Sequence, residues 1–371
     1  MTQTAPTALF ASYSPLLGGA ERVLLDCATG MESAVACPEG PLAAAAREAG
    51  LAVWPLGARA LEFRRSPRDR LAAAPRIAAQ ARPLRDILRR LAPAVVFGWN
   101  MRGMLASALA VRSLRRRPIL VFSHNDFLPP GAALARTLRA AARLSAHVLC
   151  LSRAIAADLD PDGRLGDRVR VIHPGVDLAR FAPGATPAGA ETLVLGAIVG
   201  WKRPDLALDI AALAAPALPD LRLRLAGGPH DEPGRLLLEQ LRGRAERPDL
   251  RGRVHLDGPL ADPAGALRRA GCLLHCADRE PFGLALVEAL ACGVPVVAPD
   301  AGGPREIVDS SCGVFYPPGD AAGAAAALTE VLSSPARRAE LSAGARARAE
   351  RLFDRERTRM AYRKLVAELT G

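Results

Sequence analysis

The chain has 371 residues, half of them apolar, which is enough for two domains with separate cores. No apolar run reaches the roughly 20 residues of a membrane helix, the opening "MTQTAPTALFASYS" has neither the basic start nor the cleavage pattern of a signal peptide, and the 7 cysteines show no CxxC spacing, so a cytoplasmic protein without a disulfide framework or a metal site is expected. The net charge of +11 is confined to one half, since residues 1–185 carry 25 arginines against 14 acids and the remainder carries 24 of each sign.

Taken in chain order, short apolar runs alternate with alanine-rich helical stretches. Strands are predicted at "TALFASY", "SAVAC", "LAVWPL", "AVVFGW", "ILVFSH", "HVLCLS" and "RVRVIHPG", and then at "TLVLGAIV", "LRLRLAGG", "VHLDG", "CLLHCA", "VPVVAP" and "GVFYPP". Alternation of this kind argues for parallel sheets covered by helices on both faces, and two successive series argue for two doubly wound domains. The Pro/Gly/Ala segment 181–191, "FAPGATPAGAE", reads as a linker between a domain of residues 1–180 and one of residues 192–351. Residues 352–371 have helical periodicity and are expected to pack back toward the first domain. Ligands of such sheets bind at the carboxyl ends of the strands, so a motif that directly follows a strand is the candidate for a binding site.

The densest signal is "CADREPFGLALVEALACGVPVVAPDAGGPREIV", residues 276–308. A strand leads through Glu280 to Pro281, Phe282 and Gly283, which open the helix "LALVEALAC", and Gly293 closes it. A glycine here lets backbone approach a ligand, and the N–H groups of Gly283 and Leu284 at the helix start suit an anion. Glu288 has Leu284, Ala285, Ala291 and Cys292 as its helical neighbours. A carboxylate on that face is either exposed or buried with a dedicated partner, and a ribose diol offers two donors. "DAGGPREI" repeats the construction with Gly302 and Gly303 ahead of a helix begun by Pro304. All but two of the 49 basic residues are arginine, and one of the two lysines, Lys202, directly follows the strand "TLVLGAIV".

This signature resembles that of retaining glycosyltransferases of the GT-B fold, family four, the nucleotide-sugar-dependent glycosyl transferases group 1. The resemblance extends to "GGAERVLLDCA" (18–28), "VIHPGVDLARFAP" and "GDAAGAAAALTEVL". It implies an α/β fold of two Rossmann-like, doubly wound parallel-sheet domains facing each other across a cleft. The implied activity is a retaining, metal-independent transfer of a hexosyl unit from a nucleotide diphosphate sugar, with no cofactor. By the same resemblance Lys202 holds the donor diphosphate, Glu288 the ribose hydroxyls and Glu280 the transferred sugar. Gly283 and Leu284 supply main chain near sugar and phosphate, beside the Gly302–Gly303 loop, and Gly18 and Gly19 close over the phosphate from the other domain. In "SHNDF" (123–127), His124 lies near the reacting sugar, with Asn125 as the alternative register. The family commonly has an arginine five residues before the lysine; here that position is Ala197, and Arg203 is the candidate to supply its charge.

An ammonium is a compact charge able to sit between phosphate oxygens, whereas a planar guanidinium needs more room, which accounts for a lysine in so arginine-rich a chain. The basic N-terminal half suits an anionic acceptor, a lipid phosphate or acidic glycan at a membrane face, through residues 59–90 and "RSLRRR" (112–117). A nucleic-acid partner is disfavoured because aromatics make up only 4% of the chain and residues 59–90 hold one, Phe63. "GGAER" lacks the GxGxxG spacing of a dehydrogenase. The D-x-D pattern in "DLDPD" (158–162) sits in a polar loop and reads as structural. A relative that binds sugar nucleotides without turning them over is the remaining alternative.

Overall fold

The apolar runs form two separate parallel sheets. The computed structural model describes residues 6–57, 67–184 and 191–371. The chain divides into one unit of residues 1–174 and 356–371 and a second of residues 175–355. In the first unit β1 (Ala8–Ala11), β2 (Ser33–Cys37), β3 (Ala52–Pro55), β4 (Val95–Trp99), β5 (Ile119–His124), β6 (His147–Cys150) and β7 (Val169–Val171) lie in the order β3-β2-β1-β4-β5-β6-β7. In the second, β8 (Glu191–Leu195), β9 (Arg222–Ala226), β10 (Val254–Gly258), β11 (Cys272–Leu274), β12 (Val296–Pro299) and β13 (Gly313–Tyr316) lie in the order β10-β9-β8-β11-β12-β13.

Among the described residues every strand pairing is parallel. Each step along a sheet therefore needs a crossover, and helices supply it. The winding reverses between β1 and β4 in one sheet and between β8 and β11 in the other. At such a switch point neighbouring crossovers leave in opposite directions, opening a crevice beyond the carboxyl ends of the two strands. The sequence VVFGW of β4 is buried at every position, as expected of a strand covered on both faces. Phe10 on β1 and Phe97 on β4 are register partners whose rings stack at 4.6 Å. The second core gathers Leu206 and Ile210 of one helix, Leu223 and Leu225 of β9, and Leu328 and Val331 of another helix.

The division between units differs from the expected linker, falling at 174/175 instead of within 181–191. Pro/Gly composition signals irregular backbone, but the described residues leading into it are bound to the second unit. Val176 and Phe181 are buried, and the Arg346 guanidinium donates to the carbonyls of Leu178, Phe181 and Ala291 at 3.3, 3.1 and 2.7 Å. The C-terminal crossing likewise comes later than residue 352. Buried Phe353 lies edge-on to Phe282 at 6.1 Å, and its carbonyl accepts from the Val176 N–H. The last helix, Arg355–Thr370, contributes Glu356 onward to the first unit, where Tyr362 packs 5.5 Å from Phe97 and 6.5 Å from Phe10.

Residues 59–66 of the arginine-rich segment and 185–190 of the expected linker lie outside the described residues; a helix spans Pro67–Leu91. All seven cysteines are free and buried. Among the described residues no helix is long and apolar enough to cross a membrane.

Candidate functional site

In the second unit the residues singled out from the sequence gather beyond β8 and β11. Lys202 ends a short 3₁₀ turn, Gly200–Lys202, after β8. Its Nζ donates to Oε2 of Glu280 at 2.9 Å. Glu280 is 6% exposed, and the Nε2 of His275, just past β11, lies 3.4 Å from the same oxygen without hydrogen-bond geometry. His275 is itself held by its carbonyl, which accepts from the buried Tyr316 hydroxyl at 2.7 Å. Burial alone raises the Glu280 carboxyl, but the Lys202 charge and His275 overcome it and hold the group at about 2.

That depressed value has a sign. A carboxyl held below its ordinary 4.5 stabilises the folded state above that pH, and the contribution drains away as pH falls toward about 2. Glu280→Gln is therefore expected to flatten the acid side of the stability curve, read as melting temperature between about pH 5 and about pH 3. An unchanged slope would show that other carboxylates dominate acid unfolding.

Gly283 has φ 112° and caps the helix Leu284–Ala291, so the chain turns into that helix through a conformation open mainly to glycine. Glu288 stands half-buried in the same helix. The Gly302–Gly303 loop lies against this turn: the Gly303 N–H donates to the Glu280 carbonyl at 2.9 Å, and a Cβ on Gly303 would overlap the Phe282 backbone. The close approach these two glycines allow is thus to the Glu280 loop itself. Arg203 has φ 51° and precedes Pro204, the first residue of the helix Pro204–Ala214. Its guanidinium pairs with Asp205 at 3.1 Å and Asp278 at 3.4 Å, both on the second unit. Ala197 lines the hollow beyond β8 together with Gly196, Ile198, Lys202 and His275.

In the first unit a pocket of about 390 Å³ opens beyond β1, β4 and β5, lined by Gly19, Glu21, Asn100, His124, Asn125 and Asp126 among others. Gly18 caps the helix Gly19–Thr29, and its N–H donates to the Glu21 carboxylate at 3.2 Å. Glu21 is buried, which raises its carboxyl against the N–H bonds that lower it. Asn100, at φ 59° directly after β4, accepts from Asn125 Nδ2 at 3.0 Å. His124 ends β5 fully buried, with neither ring nitrogen bonded, and burial pushes its imidazole down to about 4, so it is neutral at neutral pH. Both Asn125 and His124 face this pocket, one on each side of the register left open by the sequence.

Glu21, Asn100, His275 and Trp201 were missed in the sequence. His275 carried a signal, as a polar residue within the apolar run "CLLHCA", and Trp201 adjoins Lys202 in the chain; Glu21 and Asn100 lack one, because only the strand order brings them together in the first-unit pocket. In "DLDPD", Asp158 accepts from the Leu128 N–H and Asp160 from those of Arg164 and Leu165, at 2.6, 2.9 and 2.8 Å. Among the described residues no three His, Cys, Asp or Glu side chains are gathered as a metal site.

Two doubly wound units of this strand order, each with polar residues collected at its switch point, define the GT-B fold. The family model for glycosyl transferases group 1 matches residues 177–348, and that for glycosyltransferase family 4 matches residues 17–180, the two meeting near the division between units. The chain belongs to this family, the group 1 glycosyltransferases of family four. It is 37% identical over 202 residues to a D-inositol 3-phosphate glycosyltransferase of Thermomonospora curvata, covering 48% of this chain and 47% of that protein. Over 232 residues it is 36% identical to the enzyme of the same name from Saccharomonospora viridis, covering 55% and 52%. The match thus spans about half the length of these curated relatives. Among solved structures, Anabaena HepE in complex with UDP and glucose superposes with a TM-score of 0.83 at 22% identity, covering 98% of this chain and 99% of that one. Sucrose-phosphate synthase of Thermosynechococcus elongatus gives 0.79 at 19% identity, covering 98% of each. At these identities the likeness is one of fold.

Proposed function

We propose that this chain transfers a hexosyl unit, with retention and without a metal, from a nucleotide diphosphate sugar to an anionic acceptor. The observation that carries the reading is the Lys202–Glu280 pair, 2.9 Å long, with a buried carboxylate and a partly exposed ammonium, at the carboxyl end of β8 and β11. Diphosphate oxygens take the ammonium from Glu280, which stays ionised and turns its oxygens to hydroxyls of the sugar. As the bond from the anomeric carbon to phosphate breaks, charge accumulates on the leaving group, and Lys202 with the main chain at Gly283 and Leu284 stabilises it. The bond to the acceptor oxygen forms on the same face, and the acceptor proton passes to the departing phosphate, so no protein nucleophile is needed. Glu288 accepts from the ribose hydroxyls, Gly302 and Gly303 hold the Glu280 loop, and Gly18 and Gly19 approach the phosphate. His124, neutral and unbonded, donates to or accepts from the reacting sugar. Ala197 and the two acids paired to Arg203 leave Lys202 as the cation of the site.

The HepE complexes with UDP and UDP-glucose support a uridine nucleotide as the first donor to try. The name of the curated relatives and the basic N-terminal half support an acceptor bearing phosphate, met by exposed Arg112, Arg115, Arg116 and Arg117 and by residues 59–90. Peripheral contact with an anionic membrane follows if that acceptor is a lipid. The same Ala197 observation favours a second reading, a protein that binds the donor without turnover.

The test is a thermal-shift and calorimetric screen of UDP, GDP, ADP and their sugars, with and without EDTA. One diphosphate series is expected to stabilise the protein regardless of chelator, and Glu288→Gln to weaken that binding about tenfold, the loss of charge-assisted bonds to a diol. Stabilisation abolished by EDTA removes metal independence, and wild-type affinity in Glu288→Gln removes its ribose role. Binding without release of free nucleotide from the sugar favours the second reading.

A further inference from the structure

Lys202 is confined on three sides. Its stem runs over Gly196, where an added Cβ would come within 3.2 Å of the lysine Cδ. Its ammonium is met by Glu280 at 2.9 Å and lies 4.5 Å from the centroid of the Trp201 ring. That indole is 48% exposed, and its ring lies against the charge next to it in the chain. The other two tryptophans, Trp54 and Trp99, are half-buried and buried.

We propose that Trp201 is a positioning residue for the diphosphate, holding the Lys202 ammonium in place through its ring face. The physical point is the number of donors. An ammonium has three N–H groups, and every carboxylate that fixes it occupies at least one. A ring face attracts the charge as a whole and occupies none. With Trp201 and Gly196 setting the position, the donors remain for Glu280 in the empty protein and for phosphate oxygens when the nucleotide enters. The lysine then exchanges partners without a search through its rotamers, and the entropy of ordering it is met before binding. This inference rests on the reading of Lys202 as the cation of the diphosphate.

Titration of UDP, GDP and ADP into wild type, Trp201→Leu and Trp201→Phe tests it. The leucine variant keeps apolar bulk without a ring face and is expected to weaken the diphosphate that wild type binds by about two- to fivefold, the size of an exposed cation–π contact. Trp201→Phe, with a ring, is expected to recover most of the loss. In the ligand-free protein, Lys202→Met is expected to alter the Trp201 emission, taken as the difference from Trp201→Phe in each background. Wild-type affinity in Trp201→Leu, or equal weakening in both variants, overturns the proposal while the diphosphate reading stands. Failure of wild type to bind any of the three nucleotides overturns that reading and this inference with it.

Discussion

Lys202→Met is expected to lower the rate of nucleotide release from the donor sugar by about 10²–10³-fold, the usual effect of removing one preorganised stabiliser of developing charge. The same change strands Glu280, which is buried and held at about 2 chiefly against its own burial by the Lys202 charge. Losing that partner is expected to cost up to about 3 kcal/mol of stability. The two effects separate in a second variant. Adding Glu280→Gln to Lys202→Met removes the stranded charge, so denaturant stability should return toward wild type while turnover stays low. Lys202→Arg keeps the charge but must fit a fork into the space above Gly196, and it should lose turnover more than stability. Recovery of turnover in the double variant would show that Lys202 serves the fold alone.

Gly303→Ala is the second large effect. The new Cβ would overlap the carbonyl oxygen and Cα of Phe282, both backbone, so the loop carrying Glu280 must move. Overpacking of this kind costs about 1–3 kcal/mol, and because the displaced loop is the donor loop, nucleotide affinity should fall with it. Gly243 supplies the control. It lies within the helix Glu232–Ala245 with open space around its Cα, and there the same substitution is expected to stabilise by about 0.5–1 kcal/mol. Thermal unfolding and nucleotide titration of both variants read the opposite signs directly; a neutral Gly303→Ala would mean that the two loops are free to separate.

Much of this molecule was legible from residue order. Strands covered on both faces are unbroken apolar runs, so "AVVFGW" and "SAVAC" announce β4 and β2 within a residue. Their ends were less legible: "CLLHCA" continues apolar to Ala277, yet β11 stops at Leu274, where the chain turns to place His275 beside Glu280. Lys202 stood out by rarity and Glu280 by its spacing from Glu288 ahead of a glycine-begun helix. Glu21 and Asn100 could not stand out, since their meeting depends on β1 lying beside β4, and no local periodicity encodes which strands are neighbours. The unit boundary is hard to read from composition for a related reason. Composition around residue 181 reports backbone irregularity, whereas domain membership depends on where Val176 and Phe181 find cover.

Tyr362 ties the first sheet to the helix Arg355–Thr370, which follows the whole of the second unit in the chain. A ribosome delivers β1 and β4 long before it delivers the residue that seals Phe10 and Phe97, whereas residues 175–355 form an uninterrupted block. The later-made block can therefore complete itself first, and the earlier-made one waits with aromatic surface uncovered until residue 362 has been made. For this protein the order of translation and the order of consolidation run in opposite directions.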